Sequence, residues 1–207
     1  MTTCIEDAHV KQVYEQIAPH FNNTRTYKWS WISEFLDSIK TNSLVYDLGC
    51  GNGRNMSHQN LHFIGVDNCE KFINICNSKQ LNVLCANIIC VPLKNGSADA
   101  IICIAVLHHL SNFENRLLAF QEMKRLIKPG GKILISVWSI NQPTKTRRHF
   151  NNYGHNMVLW NNLGKIYERY YYIFKLEEIK VLIKYAGLLI LKYKHDCGNE
   201  IFILTKI

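Results

Sequence analysis

Leu44 to Leu48 reads LVYDL and runs without a break into Gly49-Cys50-Gly51-Asn52-Gly53. A short apolar strand that opens onto glycines at alternate positions ends in a tight turn, where bare backbone can come into contact with a ligand. Twenty residues after Asp47, at the end of a second strand pattern (His62–Val66), stands Asp67. An acid at that place is set to accept hydrogen bonds from ribose hydroxyls. A glycine-rich turn alone could be a plain strand-to-helix connection. Asp47 before it, Asp67 after it and Lys128-Pro129-Gly130-Gly131 ahead of a later strand make it more than that. The spacing is G-x-G-x-G rather than G-x-G-x-x-G, and no P-loop lysine follows.

Outward from this stretch, helix and strand patterns alternate. Helical spacing covers Ile5 to Ile17, stopping before Pro19, and Trp29 to Ile39. Asn68–Ser78 reads as a helix and Asn82–Ala86 as a third strand, one expected at a sheet edge. Ala98–Ala105 is apolar enough to be a central strand covered on both faces. Phe113, Leu117, Phe120, Lys124 and Ile127 mark a helix ended by Pro129-Gly130-Gly131, and Lys132–Val137 is another strand. A helix over Leu176–Tyr185 and strands at Leu188–Lys194 and Glu200–Thr205 complete the chain. The pattern predicts an α/β fold: a doubly wound, mostly parallel, seven-stranded Rossmann-like sheet with a terminal antiparallel strand and helices on both faces. Residues 139–172, rich in Asn, Arg, His and aromatics, show no clean period and read as a substrate loop.

The chain has 207 residues, 47% hydrophobic and 19% charged, which suits one domain and excludes wholesale disorder. The apolar run Ile101 to Leu107 is far too short to span a bilayer, and the polar segment Met1–Val10 does not read as a signal peptide. A cytoplasmic protein is expected. Residues 1–123 hold 9 Lys and Arg against 11 Asp and Glu, whereas residues 124–207 hold 15 against 5. That one-sided basic half suits a polyanion such as nucleic acid, although a solvated lysine-rich face would look the same. Eight cysteines include no C-x2-C pair, so reduced core thiols are expected rather than a metal site.

Together these features resemble the class I methyltransferases that use S-adenosylmethionine. The resemblance implies cofactor roles for Asp47, Gly49, Gly51 and Asp67, and for Ala105 at the end of the fourth strand. Asn87 stands where many members carry an Asp near the adenine amino group. Val13 to Leu36, Ile102 to Arg116, Pro129 to Trp138, Thr146 to Arg148 and Glu168 to Ile179 narrow the match. They resemble the eukaryotic tRNA wobble-uridine carboxymethyl methyltransferases. Members of that family methylate the carboxylate of 5-carboxymethyluridine and work with a small zinc-binding activator that covers a sheet edge. The resemblance therefore implies tRNA as substrate and an activator at the third-strand edge.

A carboxylate is already ionised at neutral pH, so the chemistry needs alignment more than a base. Arg25 is the first candidate to clamp it, and Arg147 and Arg148 are candidates for RNA phosphates or the same carboxylate. His108 and His109, closing the fourth strand, are candidates to face the reacting centre, against a competing role as helix cap or filler. Trp138 and Tyr172 are candidates to stack on the base, and Asn199 to touch the substrate. Trp29 and Trp31 read as packing. A small-molecule methyltransferase and a non-catalytic tRNA-binding relative are the competing readings.

Overall fold

The computed structural model describes residues 4–144 and 150–206. Seven strands make one sheet, in the order β3 (Val83–Cys85), β2 (Leu61–Asp67), β1 (Ser43–Leu48), β4 (Ala98–Ile104), β5 (Ile127–Trp138), β9 (Asn199–Lys206) and β8 (Leu188–Asp196). The last strand of the chain, β9, runs antiparallel to both neighbours, and the other pairs are parallel. The third strand lies at the sheet edge, as the sequence predicts.

The two-residue period of the strands sorts their side chains onto two cores. Tyr46, Ile101, Cys103, Ile133 and Ile135 pack under α5 (Phe113–Leu126) and α6 (Leu176–Tyr185) through Phe120, Met123, Ile179 and Leu182. Val45, Ala100, Ile102 and Leu134 point the other way, onto Trp31, Ile32, Phe35 and Leu36 of α3 (Ser30–Asp37). β4 is thus buried on both faces and reads as one apolar run. Strand order reverses between β1 and β4, which opens a crevice at their carboxyl ends where such sheets bind ligands. The helix α4 (Glu70–Ser78) follows β2 on that rim.

Two sequence expectations are corrected. The N-terminal helix does not stop before Pro19: after α1 (Cys4–Glu6) and a π-helical turn over Asp7–Lys11, α2 runs from Gln12 to Thr24 with Pro19 inside it. A mid-helix proline costs roughly 3 kcal/mol, but Val13, Ile17 and Ala18 are buried, and that burial holds the helix together. Residues 139–172 are not structureless either. β6 (Gly154–Asn162) and β7 (Lys165–Ile173) form a separate antiparallel hairpin. Its turn places Leu163 and Gly164 both at positive φ, 52° and 93°, the geometry that matches strand twist in a two-residue loop. Thr146, Arg147 and Arg148 lie outside the described residues.

Candidate active site

The crevice is a cavity of about 430 Å³ lined by the turn after β1, the ends of β2, β4 and β5, the helices α2 and α4, and β7 of the hairpin. Its floor is the glycine turn. Gly49 N–H and Cys50 N–H both donate to the Val66 carbonyl (2.7 and 3.0 Å), folding the turn back over β2. Gly49 sits at φ +78°, and a Cβ there would lie 2.3 Å from Val106 Cγ2, so only glycine fits. Gly51 is also at positive φ (+54°) but has open space above it, where an added Cβ would find its nearest neighbour, Phe21, at 4.0 Å.

Asp67 closes this end. Its Oδ2 accepts from Gly51 N–H (2.8 Å) and its Oδ1 from Cys69 N–H (2.9 Å), which leaves further lone pairs on both oxygens for hydroxyl donors in the cavity. Burial pushes its carboxyl up to about 6, partly offset by those backbone donors. Asp47 does not line the cavity. It lies fully buried beneath the turn, and neither of its oxygens finds a hydrogen bond among the described residues. Burial, and next the charge of Asp67, push its carboxyl up to about 7. Two carboxyls under one rim, Asp47 fully buried and Asp67 half-buried, make this end attractive to a cation. Asn87, Ile88 and Ala105 complete the wall, and Ala105 is held at φ +61°, a strained conformation for alanine.

The sign of the pH dependence follows. Both carboxyls titrate higher folded than unfolded, so the folded protein binds extra protons between about pH 4 and 7, and it loses stability as pH rises through that window. Asp47→Asn should therefore raise the melting temperature of the cofactor-free protein at pH 8 and leave it nearly unchanged near pH 4. A rise from 3.8 to about 7 sets a ceiling of roughly 4 kcal/mol. Melting curves across pH check this, and a variant destabilised at pH 8 contradicts it.

The opposite end is aromatic and basic. Trp138 from the end of β5 stacks on Tyr171 of β7, with centroids 4.5 Å apart at 15°. His108 lies against both rings and accepts at Nδ1 from the Trp138 main-chain N–H (3.3 Å). His109 is enclosed, with Nδ1 against the Tyr170 carbonyl (2.8 Å) and Nε2 against the Tyr14 hydroxyl (3.1 Å). Burial pushes it down to about 3, so it stays neutral at working pH. Arg25, at the end of α2, reaches into the cavity with its guanidinium over the Trp160 ring (5.0 Å). Arg169 of β7 is buried, 4% exposed, and stands over Trp160 (4.6 Å) and Tyr171 (5.2 Å). Burial and the charge of Arg169 push the Arg25 guanidinium below its ordinary value. Among the described residues, neither arginine pairs with a carboxylate.

The cavity thus collects Arg25, Gly49, Gly51, Asp67, Asn87, Ala105, His108, His109 and Trp138 from the sequence candidates. It does not collect Tyr172 or Asn199. Tyr172 faces the other side of the hairpin, its ring 3.5 Å from the Arg116 guanidinium and its hydroxyl donating to Glu178 (2.5 Å). Asn199 is buried at the β8–β9 turn, where its amide donates to the Asp196 and Cys197 carbonyls. Tyr14, Arg169 and Tyr171 line the cavity without having stood out in the sequence, and Trp29, which the sequence marks as packing, also lines it. Arg169 and Tyr171 share one face of β7 because they are two residues apart. The signal that unites them is the strand period of residues 165–173.

Residues 46–135 match a model for the methyltransferase domain. A tRNA (carboxymethyluridine(34)-5-O)-methyltransferase of Schizosaccharomyces pombe is 33% identical, with 97% of each chain covered. The chain belongs to this family. Mammalian, plant and amphibian relatives of the same name are 39–43% identical over 67–70% of this chain, which spans about a fifth to a third of their length. Two solved structures share its fold. An S-adenosylmethionine-dependent methyltransferase from Clostridium acetobutylicum has a TM-score of 0.69 at 14% identity, covering 94% of this chain and 99% of its own. A putative methyltransferase in complex with the Haloferax volcanii Trm112 methyltransferase activator has a TM-score of 0.66 at 12% identity, covering 95% and 97%. No helix among the described residues is long and apolar enough to cross a membrane.

Proposed function

We propose that this protein transfers a methyl group from S-adenosylmethionine to the carboxylate of 5-carboxymethyluridine at the tRNA wobble position. The observation that carries this reading is the polarity of one cavity, with buried acids at its glycine-turn end and two guanidiniums lacking any described carboxylate partner at its aromatic end. A cationic cofactor suits the first end and an anionic acceptor the second. The unsatisfied Asp47 oxygens, the open lone pairs of Asp67 and the unobstructed approach above Gly51 fit S-adenosylmethionine.

When bound, the cofactor supplies an electrophilic methyl on a cationic sulfur. Asp67 would hold the ribose and Asn87 the adenine edge, while Asp47 contributes negative potential from below. Arg25 and Arg169 would clamp the acceptor carboxylate, and the Trp138–Tyr171 stack would hold the uracil ring. No proton has to be removed from an ionised carboxylate, so His109, buried and neutral, is not needed as a base. His108, packed on Trp138 and Tyr171, would hold those two rings beside the acceptor. The basic residues 124–207, Arg147 and Arg148 among them, would meet RNA phosphates. The exposed edge at β3, where Val83 and Leu84 are only half-buried, is the place for a small zinc-binding activator, and the Haloferax neighbour's complex supports such a partner. A cytoplasmic site of action belongs to this reading.

The test is acceptor discrimination, with and without the activator. The protein should methylate tRNA carrying 5-carboxymethyluridine and reject tRNA carrying the neutral 5-carbamoylmethyl analogue by roughly a thousandfold or more, because the amide leaves the buried Arg169 and the half-buried Arg25 unpaired. Equal use of both would sink the clamp. Transfer to small carboxylic acids with no tRNA, insensitive to salt, would favour a small-molecule enzyme instead.

A further inference from the structure

The histidine that the proposed chemistry does not use points to a positioning device. His109 Nδ1 faces the Tyr170 main-chain carbonyl, which only accepts, so Nδ1 carries the proton. The ring is neutral, which leaves Nε2 as a bare acceptor. The Tyr14 hydroxyl, 3.1 Å away, must then donate to it. With its one proton committed, Tyr14 can only accept from its remaining neighbours, and these are Arg169 Nη1 and the Tyr171 hydroxyl, both at 3.4 Å. Hydrogen bonds therefore run one way, from Arg169 through Tyr14 and His109 to the backbone of β7. The Tyr14 ring is fixed independently, edge-on to Phe21 (5.8 Å) and tilted on Phe72 (6.0 Å).

We propose that Tyr14 is a positioning residue that aims the Arg169 guanidinium at the acceptor carboxylate, with His109 as its fixed anchor rather than as a catalytic group. This rests on the carboxylate acceptor proposed above. The aromatic faces around Arg169 hold its plane but not its rotation within that plane. A directed oxygen on Nη1 sets the rotation, while Nε is buried and has no partner among the described residues. The device also ties the acceptor end to α2, which carries Arg25 at its terminus.

Tyr14→Phe deletes the hydroxyl and keeps the ring, so the fold and the affinity for S-adenosylmethionine should stay within about twofold. Transfer to 5-carboxymethyluridine tRNA should lose roughly tenfold or more in kcat with KM nearly unchanged, because phosphate contacts dominate tRNA affinity while alignment governs the step. In a cycle with Arg169→Lys the second substitution should add little to the first, since both remove the same alignment. The Arg169 Nε–H resonance, identified by its absence in Arg169→Lys, should move in Tyr14→Phe. Full kcat in Tyr14→Phe, or effects of the two substitutions that multiply independently, overturns the proposal. If the wild-type protein transfers nothing to this tRNA, the functional reading falls. The arginine resonance then decides the positioning claim alone: a shift keeps it, and an unmoved signal ends it.

Discussion

Arg169→Gln should lower kcat/KM for 5-carboxymethyluridine tRNA by roughly two to three orders of magnitude, while the protein becomes no less stable. The two halves of this expectation have one cause. Arg169 is 4% exposed and carries a charge that no described carboxylate balances, so the fold bears its desolvation without the return of an ion pair. Removing the charge relieves that penalty, and glutamine keeps enough length to fill the space beside Trp160. On the proposed clamp, however, the acceptor carboxylate would lose a charge-assisted hydrogen bond, a loss of roughly 3–4 kcal/mol in comparable buried pairs. Steady-state kinetics and melting curves measure the two together. A variant that unfolds would show Arg169 to be structural, and one that retains activity would move the clamp to Arg25 alone.

Gly49→Ala should abolish measurable cofactor binding and lower the melting temperature, whereas Gly51→Ala should lose the cofactor with a smaller drop in stability. At Gly49 the added methyl meets Val106 at 2.3 Å and the backbone is at φ +78°, so both sterics and conformation oppose it. At Gly51 the conformation alone opposes it, on the order of 1 kcal/mol, but the methyl stands in the space where the cofactor would lie. Titration calorimetry with S-adenosylmethionine separates the cases. Adding Val106→Ala should restore part of the stability lost in Gly49→Ala and none of that lost in Gly51→Ala. Recovery in both would show that the clash at Val106 is not the reason glycine is needed.

The glycine turn and Asp67 are legible in the sequence because their roles are set locally: a strand end, a turn that needs positive φ, and an acid one strand over. The seven-stranded, mostly parallel sheet is legible for a similar reason, since apolar runs alternating with amphipathic helices leave few ways to cover both faces. The acceptor end is not, because it is built from tertiary contacts. Arg169 reaches the cavity through a hairpin whose Leu-Gly turn lacks the usual Asn-Gly signal, and whose exposed Leu159 and Ile166 blur the inward–outward alternation. Unless 165–173 is recognised as a strand, the three adjacent tyrosines cannot be sorted, and the sequence singles out Tyr172 where Tyr171 is the one that lines the cavity beside Trp138. Pro19 hides the last turns of α2, which run on to Thr24 and lead to Arg25, for the opposite reason, because burial on one face overrides a strong local breaker.

The central claim is that the acceptor is a carboxylate on tRNA. Its most direct test is transfer from methyl-labelled S-adenosylmethionine to tRNA carrying 5-carboxymethyluridine, in the presence of the activator, followed by nucleoside analysis and mild alkaline hydrolysis. The expected label sits on the wobble nucleoside and alkali releases it as methanol, since a methyl ester is cleaved where a methyl on a ring nitrogen or ribose oxygen is not. A label that survives alkali, or one on another nucleoside, would contradict it.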